Sequence, residues 1–141
     1  MVIVDTSVLI DYFKDVENPK SLLLDSIIQL EIPFAISCFT YQELLQETRD
    51  IKEFNELKSY LSLQNIYDVP QDLHFFENCA KMFFDLRRKG LTIRSTIDML
   101  IAQTAINFGS FLLHNDKDFD VISKNFKNLK ILNRIDELTF M

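Results

Sequence analysis

Asp5, Glu43, Asp98 and Asp116 are the side chains in this sequence whose type and placement could do chemistry. Asp5 ends the apolar run Met1–Val4, Glu43 lies one helical turn beyond Phe34–Phe39, and Asp116 follows Phe111–Leu113. Taken singly, each has a structural use. Asp5 suits a helix N-cap, Glu43 and Asp98 suit the returning acids of capping boxes opened by Thr40 and Ser95, and Asp116 suits a turn. Gathered in one place, carboxylates repel and raise one another's pKa values unless a cation stands among them. Hard divalent cations take oxygen ligands, and Mg2+ is usually held by a few carboxylates, water and a substrate phosphate. No Cys/His cluster competes for a metal: Cys38 and Cys79 sit far apart in apolar settings without a CxxC pair. Both thiols read as small buried hydrophobes.

Whether these acids meet depends on the elements that carry them. Met1–Val4 reads as a buried strand, Thr6–Lys14 and Ser21–Leu30 as helices, and Phe34–Phe39, after Pro33, as a second strand. Helices are expected from Thr40 to about Thr48, over Ile51–Leu63 and over Gln71–Lys89. The last ends in Arg87, Arg88, Lys89 and Gly90, an ordinary helix stop. Asn65–Val69 is a candidate third strand. A helix from Ser95 to about Phe108, a strand at Phe111–Leu113, a helix at Val121–Phe126 and a fifth strand at Leu129–Leu132 complete the pattern. Strands alternating with helices imply an α/β fold, a three-layer α/β/α sandwich around a mostly parallel sheet of roughly five strands. In a parallel sheet the strand-to-helix junctions share one edge, and ligands bind there. Asp5, Glu43 and Asp116 fall on that edge by topology alone. The helix of Asp98 follows another helix, so the pattern leaves its place open.

The chain as a whole bounds the function. Its 141 residues suit a single domain over 1–141. Hydrophobic residues make up 48%, with 13 Phe against 2 Gly, which supplies a core and excludes disorder as the main state. A formal net charge of −6 excludes a surface that is basic throughout, as a general nucleic-acid platform would be. No run approaches the roughly 20 apolar residues of a membrane span, and no basic apolar leader opens the chain. No membrane partner and a cytoplasmic location are therefore expected.

Four segments together carry a resemblance: VIVDTSVLID at the N-terminus, TYQELL around Glu43, GLTIRSTIDMLIAQTAI around Asp98 and LLHNDKDFDVI around Asp116. In that order and spacing they resemble the PIN domain family, and more narrowly the ribonuclease toxins of VapBC-type toxin–antitoxin pairs. The resemblance implies a Mg2+-dependent endoribonuclease, with Mn2+ as a substitute, that hydrolyses RNA to a 5′-phosphate and a 3′-hydroxyl. It makes Asp5, Asp98 and Asp116 metal ligands, and completes the catalytic acids with Glu43, which would bind or orient the attacking water. Ser7, and less directly Thr6, would support the site by hydrogen bonding. Asp118 falls at a more variable family position. His114 departs from the pattern, since many relatives carry Thr there. The resemblance further implies an antitoxin protein that blocks the site, and a homodimer.

Other candidates rest on the residues themselves. Arg94 lies four residues before Asp98 and reads either as a contact for a substrate phosphate, which its forked guanidinium suits, or as a solvent-exposed loop charge. Lys117, Lys124, Lys127 and Lys130 make the last third locally basic, and His74 reads as a helix-surface residue. Phe75, Phe76, Phe83 and Phe84 cannot all face one core on a helix of ~3.6 residues per turn. Either part of that helix is covered by another chain, with Leu9, Tyr12 and Phe13 adding to the surface, or it sits in a thick core between helix layers. The rivals to a nuclease are a PIN-like module that binds RNA or protein without catalysis, a phosphotransfer receiver and an aspartate phosphatase. The first would ordinarily have lost an acid, and all four are present. The second calls for a paired acid near the first strand and a late Lys, and the third for D-x-D where this chain has Asp5-Thr6-Ser7.

Overall fold

The computed structural model describes residues 1–70 and 72–138. In chain order its elements are β1 (Val2–Val4), α1 (Thr6–Phe13), α2 (Pro19–Gln29), β2 (Phe34–Ser37), α3 (Cys38–Gln46), α4 (Ile51–Leu61) and β3 (Asn65–Tyr67). There follow α5 (Leu73–Arg88), α6 (Thr96–Asn107), β4 (Phe111–Leu113), α7 (Lys117–Asn125), β5 (Lys130–Ile131) and a 3-10 turn at Ile135–Leu138. The strands form one parallel sheet in the order β3-β2-β1-β4-β5. β1 is central, and its register sets Ile3 between Ala35 and Leu112.

Alternation along β1 divides the core. Successive side chains of a strand point to opposite faces. Val2 and Val4 accordingly join Val8, Leu9, Leu24, Ile27, Leu44 and Leu45 from α1, α2 and α3. Ile3 joins Met82, Leu86, Met99, Ala102, Phe119 and Ile122 from α5, α6 and α7. Ile3, Leu24, Leu112 and Phe119 are fully buried, and side chains of this size each contribute roughly 1.5–3 kcal/mol by leaving water. Helices on both faces of a parallel sheet make the three-layer sandwich expected from the pattern.

Boundaries differ where capping overrides the apolar pattern. β2 ends at Ser37 rather than Phe39 and runs straight into α3, because the Ser37 hydroxyl accepts the Thr40 N–H at 3.1 Å and caps the helix. Thr40 therefore opens no capping box with Glu43. α2 starts ahead of Ser21, at Pro19: Asn18 and Ser21 exchange hydrogen bonds of 3.0 and 2.9 Å, and Pro at the first position lacks only an N–H that would have no helical partner. α7 starts at Lys117 rather than Val121, since Asp116 caps it and the acidic first turn suits the positive end of the helix dipole. α4 stops at Leu61, β3 at Tyr67, and β5 keeps only Lys130–Ile131, each shorter than expected. The expected start of the long helix at Gln71 lies outside the described residues; Asp72 caps α5.

Candidate active site

Asp5 and Glu43 are held by hydroxyl groups. Asp5 follows β1, its N–H donating to the Leu113 carbonyl at 2.9 Å. Its Oδ2 caps α1, accepting the Ser7 N–H at 3.1 Å and the Ser7 hydroxyl at 2.6 Å. Burial pushes the Asp5 pKa up most, the Ser7 hydrogen bonds pull it back, and Glu43 pushes it up again. Glu43 reaches across from α3, where its Oε1 accepts the Thr6 hydroxyl at 2.7 Å. Thr6 Oγ1 also lies 3.2 Å from Thr40 Oγ1, which is 3.3 Å from Ser37 Oγ. A hydroxyl has one hydrogen to give. That of Thr6 goes to the carboxylate, the stronger acceptor, so Thr40 donates to Thr6 in turn. Three hydroxyls, of Ser37, Thr40 and Thr6, thus end on one carboxylate.

The remaining acids crowd together. One oxygen from each of Asp98, Asp116 and Asp118 lies within 4.8 Å of the others. Asp98 stands in the first turn of α6, whose cap Ser95 accepts the Ile97 N–H at 3.2 Å. Its carboxyl is pushed up to about 7, first by burial and then by Asp116, Asp5, Asp118 and Glu43. Asp98 is therefore the residue that feels both groups of acids. Asp116 Oδ1 accepts the Asp118 N–H at 3.0 Å, and the Asp116 N–H donates to His114 Nδ1 at 3.0 Å. Asp118 is buried, and its Oδ2 accepts from Arg94 Nε at 3.3 Å and from the Arg94 backbone N–H at 3.4 Å. Arg94 Nη2 lies 3.7 Å from Asp116 Oδ1. The guanidinium is thus a counter-ion of these acids.

The structure extends the edge expected from topology. It adds Asp98 to Asp5, Glu43 and Asp116 through the shared field, and it draws the tightest trio from Asp98, Asp116 and Asp118. Asn115 and Asp11 escaped the sequence reading. The Asn115 N–H donates to Ser7 Oγ at 2.9 Å, and its side-chain amide donates to Asp11 Oδ2 at 3.3 Å, an oxygen that Asn18 also reaches at 2.9 Å. Ser7 and Asp11 share one face of α1 at i,i+4 spacing, which is the signal the sequence offers. Arg87 and Arg88 lie over the rings of Phe83 and Phe84, and Lys130 lies over Phe111. His74 is exposed beside Glu77 at 3.9 Å. Cys79 is buried as expected, whereas Cys38, one residue into α3, is only half-buried.

Oxygen donors from converging carboxylates fit a hard divalent cation such as Mg2+ or Mn2+ rather than a thiophilic metal. Burial first, and then the neighbouring carboxylates, raise the Asp98 pKa, and a bound cation would offset the second of these.

A family model described as PIN domain matches residues 2–125. The chain is 29% identical over 125 residues to VapC ribonuclease Mb1587 of Mycobacterium bovis, covering 88% of this chain and 92% of that protein. Ribonuclease VapC11 of Mycobacterium tuberculosis is equally similar, at 29% over 125 residues with 88% and 92% covered. Among solved structures, VapBC2 from Rickettsia felis bound to a promoter DNA fragment superposes with a TM-score of 0.70, at 22% identity, over 95% of this chain and 99% of that one. DNA-bound VapBC from Salmonella typhimurium gives 0.71 at 18% identity over 93% and 96%. The structural likenesses show the shared fold. Among the described residues no helix is long and apolar enough to cross a membrane.

Proposed function

The chain belongs to the PIN domain family, and on that premise we propose that it is a metal-dependent endoribonuclease, the toxin of a toxin–antitoxin pair acting in the cytoplasm, with residues 1–141 as its single domain. One observation carries the reading: Asp98, Asp116 and Asp118 converge within 4.8 Å, and Asp5 and Glu43 stand near enough to raise Asp98 further. The similar mycobacterial proteins, named as ribonucleases, supply the substrate class. A bound Mg2+, or Mn2+ in its place, would neutralise phosphodiester charge and lower the pKa of a water. Asp5, Asp98 and Asp116 would hold it, with Asp118 offering a further oxygen. Ser7 keeps the Asp5 carboxylate in place, and Glu43, fixed by Thr6, orients the attacking water. Arg94, beside Asp116 and Asp118, contacts the RNA phosphate. The products are a 5′-phosphate and a 3′-hydroxyl.

Two apolar surfaces support the expected partners. A groove of about 710 Å3 is lined by Ile10, Phe13, Leu44 and Leu57 together with charged residues of both signs, among them Lys14, Arg49 and Glu53. It suits a segment of an antitoxin, and α3 contributes to this groove and, through Glu43, to the acidic site. The outer face of α5 exposes Leu73, Phe76 and Phe84. That remainder, which one core cannot take, suits a second copy of the chain.

The test is cleavage of RNA by the purified protein with Mg2+. Asp5→Ala and Asp98→Asn are expected to abolish cleavage while circular dichroism and melting remain those of a folded protein. Full cleavage by either variant, or undiminished cleavage in excess EDTA, would overturn the mechanism. RNA that is bound but never cut would favour the non-catalytic module.

A further inference from the structure

His114, at the end of β4, is 2% exposed, whereas His74 on α5 is exposed. A buried imidazole is costly unless its nitrogens find partners. Nδ1 accepts the Asp116 N–H at 3.0 Å. A backbone amide can only donate, so Nδ1 carries no proton and the ring is the Nε2–H tautomer. Nε2 is buried without a hydrogen bond and lies 3.4 Å from Asp120 Oδ1. The ring leans on Phe119 with centroids 5.1 Å apart.

The Nδ1 contact is the first of two linked closures. Residue 114 captures the N–H of residue 116, and Asp116 Oδ1 captures the N–H of Asp118. Asn and Asp side chains close turns in this way. Here an imidazole does so, and the two residues it controls in sequence supply two of the three converging carboxylates.

We infer that His114 is a positioning residue for the acidic trio, its unprotonated Nδ1 acting as the turn acceptor that fixes where the Asp116 and Asp118 carboxylates stand. The consequence for ion binding rests on the metal-dependent reading above; the consequence for the backbone does not. Packing alone predicts something different. Gln is nearer to His in size but offers its amide near the Nε2 position, while Asn offers an acceptor at the Nδ1 position and leaves a void. A packing role ranks His114→Gln above His114→Asn, and a positioning role reverses the order.

The experiment titrates Mn2+ into the full-length protein at pH 8, following free ion by electron paramagnetic resonance. It compares wild type, His114→Asn, His114→Gln and His114→Ala, each checked by a metal-free melt. Gln and Ala are expected to bind roughly tenfold or more weakly, the scale for groups that orient ligands, with Asn within about threefold of wild type even where it melts lower. All variants binding alike, or Gln binding better than Asn, would overturn the inference. Should the wild type bind no Mn2+, the metal reading fails, and amide hydrogen exchange decides the positioning role. Exchange at Asp116 and Asp118 is then expected to be fast in the Gln variant and slow in the Asn variant. Equal rates in the two would overturn it, as would a protonated, pyrrole-type Nδ1 in the nitrogen spectrum of the wild type.

Discussion

On the α1–α3 side of the acidic site each carboxylate is supported by a hydroxyl, Asp5 by Ser7 at 2.6 Å and Glu43 by Thr6 at 2.7 Å. On the α6–α7 side the acids face one another, and their compensation comes from the Asp118 N–H and from the exposed Arg94. The two devices differ in kind. A hydroxyl hydrogen bond is short and local, and it eases one carboxylate without adding charge. A guanidinium adds charge but is screened by the water around it. Asp98 stands between them, raised by burial and by four other acids with no hydrogen bond among the causes. The first half is preset by the fold, and under the proposed function a cation would offset the mutual repulsion of the second while also drawing on Asp5 of the first.

Metal therefore separates the halves most strongly. Mn2+ at about a hundred times its Kd should stabilise the protein by about 2.7 kcal/mol, a rise in Tm on the order of 10 °C for a chain of this size. Asp98→Asn should remove most of that rise and lower Mg2+-supported cleavage roughly 10³-fold, whereas Ser7→Ala should keep part of both. Calorimetry with and without Mn2+ checks this, and equal rises in wild type and Asp98→Asn would dissolve the distinction.

Acid should act on the second half next. An unfolded Asp titrates near 3.9, while folded Asp98 titrates at about 7, so between these values the folded state binds more protons. Stability from this group is fully present below about pH 4 and is lost as pH rises toward 7, with a magnitude on the order of 2 kcal/mol after solvent screening. Asp5, also raised, has the same sign. Buried His114, whose pKa is lowered, has the opposite sign below about 6.5. Subtracting the Asp98→Asn curve from the wild-type curve in EDTA isolates the Asp98 contribution. A flat difference between pH 4 and 8 would contradict it.

The same contrast decides what could be read in advance. Asp5 and Asp116 were legible because each follows an apolar strand, and a parallel sheet sends such junctions to one edge. Asp98 was not, since α6 follows α5 and its position depends on how two helices pack; only the family resemblance pointed to it. The Glu43–Thr6 bond joins residues 37 positions apart and exists only because α1 and α3 pack together. Asp118 ranked lower because it falls at a more variable family position, and the expected start of α7 at Val121 left it outside a helix. With only Phe119 and Ile122 as buried apolar residues in that stretch, Lys117–Asp120 shows little periodicity, and the helix start is set by the Asp116 cap. The three-layer fold, by contrast, follows from short apolar strands alternating with helices, which needs no tertiary detail.

The hydroxyl half can be probed alone. Ser7 donates to Asp5 and accepts the Asn115 N–H, so it ties the loop after β4 to β1. Ser7→Ala leaves the buried Asp5 carboxylate without its shortest hydrogen bond, a loss of about 1–3 kcal/mol. The Asp5 pKa should rise further, and urea unfolding should show the loss unchanged between 0.05 and 0.5 M salt.

The smallest expected effect belongs to Arg94, and it bears most directly on the contrast. Its side chain is 67% exposed, and exposed ion pairs are worth about 0.2–1 kcal/mol. Arg94→Gln should therefore shift urea unfolding by less than 1 kcal/mol in low salt, and by nothing measurable near 0.5 M, where the Debye length is roughly 4–5 Å. Removing the cation paired with Asp116 and Asp118 also leaves the trio more negative. Mn2+ should then bind a few-fold more tightly in low salt, while RNA cleavage at saturating Mn2+ falls because the phosphate loses its guanidinium partner. If Arg94→Gln instead costs as much stability as Ser7→Ala and does so at every salt concentration, the guanidinium is as much a part of the preset structure as the hydroxyls. The α6–α7 acids would then be built in the same way as Asp5 and Glu43, and a cation would not be what completes them.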